Sequence, residues 1–184
     1  MELRDYQKES VDELRSAFRS YKHVIFQLPT GGGKGVVIGA VSSMALNKGN
    51  RVLILAHSEE IIKQDARHCG KWGAETAIVL SKTKKAPGSP CVCMMAQTAR
   101  QRVKKEDWLL WFRGFKMIIL DECHRAEFDF VFDVISPDTY VVGLSASPAR
   151  YGGQRQLGLD YEAIVTGPSV QDLIGIAIFC LLIY

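Results

Sequence analysis

Residues 23–35 read HVIFQLPTGGGKG. The apolar run His23–Leu28 is stopped by Pro29, Thr30 and three glycines, and a lysine opens the stretch that follows. Such a run reads as a buried strand entering a loop. Glycines let backbone N–H groups close around an anion, and the N-terminus of a following helix adds partial positive charge. Lys34 has the reach to meet the β- and γ-phosphates of a nucleotide. Pro29, Thr30, Gly31, Gly32, Gly33, Lys34 and Gly35 are therefore candidate phosphate-binding residues. The stretch departs from the pattern G-x-x-x-x-G-K-[ST] at both ends. Leu28 stands at the first glycine, and Gly35 stands where a hydroxyl would ligate Mg²⁺, so water has to fill that place. Taken alone, TGGGKG is also compatible with an ordinary glycine turn.

Around this loop the chain alternates short apolar runs with helical patterns. Asp5–Ser20 carries Tyr6, Val11, Leu14, Ala17 and Phe18 at three- and four-residue spacing, which predicts an amphipathic helix. Lys34–Asn47 reads as a helix stopped by Gly49-Asn50. Strands are expected at Arg51–Ala56, Glu75–Leu80, Cys91–Met95, Phe115–Leu120, Tyr140–Leu144 and Tyr161–Val165, with helices over Glu59–His68 and Thr98–Phe112. Trp108 and Trp111, three apart, suit a packing face, and Cys91 and Cys93 alternate along a buried strand. Continuous apolar strands separated by helices argue for an α/β fold, a mostly parallel sheet with helices on both faces. Ligands bind such sheets beyond the carboxyl ends of the strands. The chemically unusual residues, Thr30–Lys34, His57-Ser58, Gln97-Thr98, Asp121-Glu122 and Ser145–Ser147, all fall at those ends.

Residues 118–124, IILDECH, deliver two carboxylates to a strand end. Asp121 is placed to hold Mg²⁺, Glu122 to polarise a water for attack on a γ-phosphate, and His124 to couple the pair to a neighbouring element. A solvated Asp-Glu pair is the plain alternative. Together with the glycine loop after an earlier strand, it points to ATP chemistry.

At 184 residues the chain is the size of one domain. Its 47% apolar and 23% charged composition excludes general disorder. A net charge of +3 neither demands nor excludes nucleic acid. The five cysteines form no C-x-x-C pair, which argues against a zinc ribbon or disulfide framework and for reduced thiols in a cytoplasmic or nuclear-type compartment. The apolar stretch over residues 173–184, LIGIAIFCLLIY, is shorter than the roughly 17–25 residues of a membrane span, so no membrane partner is expected.

Taken in order, these motifs resemble the first motor domain of superfamily 2 helicases and translocases, in the branch of restriction-enzyme motor subunits and XPB-type helicases. LRDYQ resembles that branch's adenine-recognition segment, PTGGGKG motif I, and LILAHSEEIIKQ motif Ia with Ser58 for a common Arg. MMAQTARQR resembles the following strand-contacting motif, DECH a DEAH box with Cys123 in the Ala place, and GLSASPAR a G-L-T-A-T-P-x-R motif III. The resemblance implies a RecA-like P-loop fold, ATP and Mg²⁺ as cofactors, and DNA or, ranked second, RNA as partner. It implies that Arg4 and Gln7 contact the base, that His57, Ser58, Gln97 and Thr98 face the bound strand, and that His124, Ser145 and Ser147 couple the sites. The ATP-binding domain is expected over residues 1–172, with 173–184 as an apolar tail. The second RecA-like domain, which supplies arginine fingers in this superfamily, is then absent or acts in trans. That reads as a shortened product, poorly active alone. The alternative is a non-catalytic nucleotide- or nucleic-acid-binding module derived from a helicase.

Overall fold

The computed structural model describes residues 2–150 and 155–175. The expected tail lies for the most part outside the described residues. Seven strands form one sheet in the order β3-β4-β2-β5-β6-β1-β7, and every recorded pairing is parallel. The strands are β1 (His23–Gln27), β2 (Val52–Ala56), β3 (Thr76–Val79), β4 (Cys91–Met95), β5 (Met117–Asp121), β6 (Tyr140–Ser145) and β7 (Ala163–Thr166). The helices are α1 (Asp5–Ala17), α2 (Lys34–Leu46), α3 (Glu59–Lys71), α4 (Ala96–Arg102), α5 (Glu106–Arg113) and α6 (Phe130–Val134).

The strands read as unbroken apolar runs because both faces of the sheet are covered. Along β2, Val52, Ile54 and Ala56 enter one core with Val11 and Leu14 of α1, Val37 and Ile38 of α2 and Ile62 of α3. Leu53 and Leu55 enter the other, with Trp108 and Phe112 of α5, Val131 of α6, and Phe115 and Phe128 from the connecting segments. The period-2 split of side chains thus assigns α1–α3 to one layer and α4–α6 to the other. Trp108, Cys91 and Cys93 are buried as packing residues.

Two features refine the sequence reading. The stretch over 98–112 is mostly helix as expected, in two helices separated at Val103–Lys105. The break lets α4 bury Ala96 and Ala99 while α5 buries Trp108 and Phe112. Arg102 closes the corner: its guanidinium lies 4.9 Å from the Trp108 ring centre and donates to the carbonyls of Ser81 and Thr83. Residues 126–134, which carry no clear periodicity, form a short 3₁₀ turn and α6.

At Gly143, in the middle of β6, an added Cβ would collide with the Tyr161 hydroxyl and lie 2.7 Å from Cys123 Sγ. Overpacking of this kind is worth about 1–3 kcal/mol. Gly143→Ala is expected to lower the unfolding free energy by that amount, read as a lower urea midpoint at unchanged m-value. Gly88→Ala, with open space around it, should stay within about 0.5 kcal/mol of the parent. Equal midpoints for the two variants would contradict this packing.

Candidate nucleotide and nucleic-acid site

Because β4, β2, β5, β6 and β1 are consecutive and parallel, the segments after their carboxyl ends line one edge of the sheet. After β1, the Leu28 amide donates to the Ser145 carbonyl at 3.0 Å, which ties the glycine loop to the end of β6. Gly31 (φ 83°) and Gly33 (φ 87°) are left-handed, a conformation that glycine adopts without strain. An added Cβ at Gly32 would lie 2.9 Å from Leu28 Cγ and 3.0 Å from the Pro29 carbonyl. α2 begins at Lys34 with no side-chain cap, which leaves its first amides available to an anion.

Lys34 Nζ donates to Glu122 Oε1 in a half-buried ion pair between the glycine loop and the end of β5. Glu122 has φ 58°, the one positive-φ residue other than glycine among the described residues. Strain of this kind is typically about 1–3 kcal/mol and collects at functional sites. From Glu122 a polar chain continues. His124 Nδ1 lies 3.4 Å from Glu122 Oε2 and 2.9 Å from Ser145 Oγ, and Ser145 Oγ accepts the Ser147 amide at 3.1 Å. The sequence-predicted Lys34, Glu122, His124, Ser145 and Ser147 therefore meet in one connected set.

Asp121, 8% exposed, keeps a buried Oδ1 without a hydrogen-bond partner. Burial pushes its carboxyl above the usual range, Lys34 opposes this, and Glu122 adds to it. An orphaned carboxylate oxygen beside the ion pair suits a divalent cation or a water held by one. Among the described residues no group of three His, Cys, Asp or Glu side chains is placed to hold a metal. An ion here would draw its remaining ligands from phosphate and water, as Mg²⁺ commonly does.

Other expected residues fall differently. Ser58 Oγ accepts the Ile61 amide at 3.3 Å as the N-cap of α3, so its hydroxyl is engaged in capping. Thr98 is buried while Gln97 is exposed. Arg4 is exposed, but Gln7 is buried: its Oε1 accepts the Arg4 amide at 3.0 Å, and its Nε2 packs on Gly33. Gln7 thus props the glycine loop.

Three further residues border this site. Arg150, its side chain 3% exposed, pairs with Asp129 at 2.6 Å and donates to the carbonyls of His124 (2.7 Å), Cys123 (3.1 Å) and Arg125 (3.1 Å). It clamps the DECH turn, and its signal was the final Arg of SASPAR. Asp65 and His68 come from α3, beyond the motif residues singled out in the sequence. Asp65 is 3% exposed with an unpartnered Oδ2, and burial, then Asp121, raises its pKa to about 8.

Residues 1–150 match the family model described as "Type III restriction enzyme, res subunit", and the chain belongs to that family. It is 28% identical over 154 residues to a "51.5 kDa protein" of a Lactococcus phage, covering 82% of this chain and 30% of that protein. It is 28% identical over 186 residues to the mouse "ATP-dependent RNA helicase DHX58", covering 86% of this chain and 26% of that protein. The chain thus spans under a third of these relatives. In fold it is similar to the Type ISP restriction-modification enzyme LlaGI, solved with a DNA substrate mimic. The TM-score is 0.75 at 19% identity, over 97% of this chain and 21% of that one. The fold is the RecA-like motor fold of superfamily 2, in a helicase-like ATP-binding domain family. No described helix is long and apolar enough to cross a membrane.

Asp65 yields a pH test. Its folded pKa of about 8 lies above the ordinary 3.8, so the folded state retains a proton that the unfolded chain loses. The stability it contributes is full below about pH 4 and is lost as pH rises through 8. Asp65→Asn should therefore gain on the parent by roughly 2–4 kcal/mol between pH 5 and pH 8 in urea unfolding. Parallel pH profiles would contradict the assignment.

Proposed function

We propose that residues 1–172 form the nucleotide-binding motor lobe of a nucleic-acid-dependent ATPase of helicase or translocase type. The observation that carries this reading is the Lys34–Glu122 ion pair, which joins the glycine loop to the acidic strand end, with His124 and Ser145 continuing the contact to the end of β6. ATP with Mg²⁺ would supply the phosphoanhydride bond and the charge compensation for its cleavage. Lys34 Nζ and the amides of Thr30–Gly35 hold the phosphates, with Pro29 starting the turn. Asp121 holds the metal, directly or through water, and Glu122 orients and polarises the attacking water.

The Lys34–Glu122 pair keeps that carboxylate aimed at the loop before substrate arrives, and Arg150 holds the turn that carries it. Arg4 contacts the base from outside, while Gln7 supports the loop beneath it. His124, Ser145 and Ser147 transmit the state of this site along the sheet edge. There His57 and Gln97 meet the nucleic-acid backbone, with Ser58 and Thr98 shaping their segments. DNA is the first candidate, supported by the likeness to LlaGI and to the restriction family, and RNA the second, supported by the similarity to DHX58. A second RecA-like lobe, within a longer chain or in trans, contributes the arginines that neutralise transition-state charge.

The other reading, a binding module without hydrolysis, is favoured by one observation, the missing hydroxyl at Gly35. The two separate in a titration and a turnover assay. On the motor reading, Lys34→Ala weakens ATP binding at least about 100-fold. Glu122→Gln preserves binding and lowers nucleic-acid-stimulated hydrolysis by about 10²–10⁴-fold, the usual worth of a positioned acid–base group. A parent chain that binds DNA and ignores ATP would establish the module instead.

A further inference from the structure

The position of Gly35 looks like a loss in the sequence, but in the fold it is filled. A Cβ at residue 35 would lie 2.5 Å from Cδ2, 2.7 Å from Nε2 and 3.1 Å from Cγ of His68. One turn further along α2, a Cβ at Gly39 would lie 2.9 Å from the His68 carbonyl and 3.0 Å from Trp72 Nε1. Two glycines of α2, four residues apart, thus form a slot that admits His68 and Trp72, also four apart, from α3 and its end. The imidazole occupies the volume that a serine or threonine side chain at position 35 would take.

Close helix packing alone does not account for a histidine here. His68 Nδ1 is buried without a partner, a cost that an aliphatic side chain would avoid. Nε2, 2.7 Å from the vacated Cβ position and second only to its ring neighbour Cδ2, is not sealed in and has no hydrogen-bond partner among the described residues. Asp65, three residues earlier on the same face of α3, couples electrostatically to Asp121. That face therefore runs along the glycine loop and the acidic strand end. Burial, then Lys71 and Arg67, hold the His68 ring below the ordinary pKa of histidine, which favours the neutral, metal-ligating form.

We propose that His68 replaces the missing hydroxyl, its Nε2 completing the coordination of the divalent ion that accompanies the nucleotide, so that the site favours Mn²⁺ or Co²⁺ over Mg²⁺. This rests on the nucleotide site proposed above and specifies its metal. Mg²⁺ takes oxygen ligands in near-ideal octahedra, whereas imidazole suits first-row transition ions. Nitrogen in place of a hydroxyl oxygen shifts selectivity in that direction.

The test uses the full chain with a non-hydrolysable ATP analogue. Pulsed EPR of the Mn²⁺ complex should show ¹⁴N coupling from a bound imidazole, present in the parent protein, retained in His57→Gln and His124→Gln, and lost in His68→Leu. In calorimetry the ratio of Mn²⁺- to Mg²⁺-dependent affinity should fall about tenfold or more in His68→Leu, the scale on which ligand-shell changes act. Combining Gly35→Ser with His68→Ala, which opens the space for an oxygen ligand, should restore preference for Mg²⁺. A bound Mn²⁺-nucleotide without nitrogen coupling in the parent, a reading that needs no variant to fold, overturns the proposal and leaves the nucleotide site standing. So does coupling that survives His68→Leu. Failure of the parent to bind nucleotide with any of these ions overturns the nucleotide site, and this inference with it.

Discussion

The ion pair between Lys34 and Glu122 can form only if two segments 88 residues apart are brought to the same edge of one sheet. That requires β1 and β5 to flank β6 in parallel, with Gln27 opposite Ser145 and Asp121 opposite Leu144. A one-residue slip in either ladder would turn Asp121 and Ser145 to the wrong face. The side chains of β1, β2, β5 and β6 that divide between the two cores hold that register, because each face has its own helices to pack against. The chemistry at the edge thus depends on packing in the middle.

Several features near this contact are unfavourable in isolation. Glu122 has a left-handed backbone, Asp121 and Asp65 are buried acids with unpartnered oxygens, and His57 and His68 each bury an unpartnered Nδ1. Unmet polar groups of this kind are rare in protein interiors. Their concentration along one strip, between α3 and the ends of β2 and β5, is what a site prepared for a charged ligand looks like. Arg150 offsets part of that penalty by binding the turn carbonyls after Asp121 and Glu122 while pairing with Asp129.

Much of this was legible in the amino-acid order, for a physical reason. Doubly covered parallel strands leave continuous apolar runs, and glycines and acids at their ends stand out against them. The polar residues of HVIFQLPTGGGKG and IILDECH were therefore readable one segment at a time. What stayed hidden depends on contacts between segments. Asp65 and His68 look like ordinary members of an amphipathic helix until α3 is laid across α2. Gly35 looks like an empty position until His68 fills it. Ser58 resembles a strand-contact residue by its place in the motif, but its hydroxyl caps α3, a role its neighbours Glu59 and Glu60 support in the first turn. The stretch over 98–112 is mostly helix as expected, but the break at 103–105 stayed hidden because periodicity averaged over two apolar faces does not reveal a turn that re-aims them.

The glycine loop and the acidic strand end are proposed to hold one triphosphate and its metal between them. This arrangement is tested most directly by anomalous diffraction from crystals of the chain grown with Mn²⁺ and a non-hydrolysable ATP analogue. One manganese peak is expected within direct or single-water reach of Asp121, with the terminal phosphate against Lys34. The arrangement would be contradicted by a nucleotide bound instead in the groove of about 660 Å³ at the opposite edge of the sheet, lined by Arg15, Arg19, Lys48 and Tyr140, with the glycine loop empty.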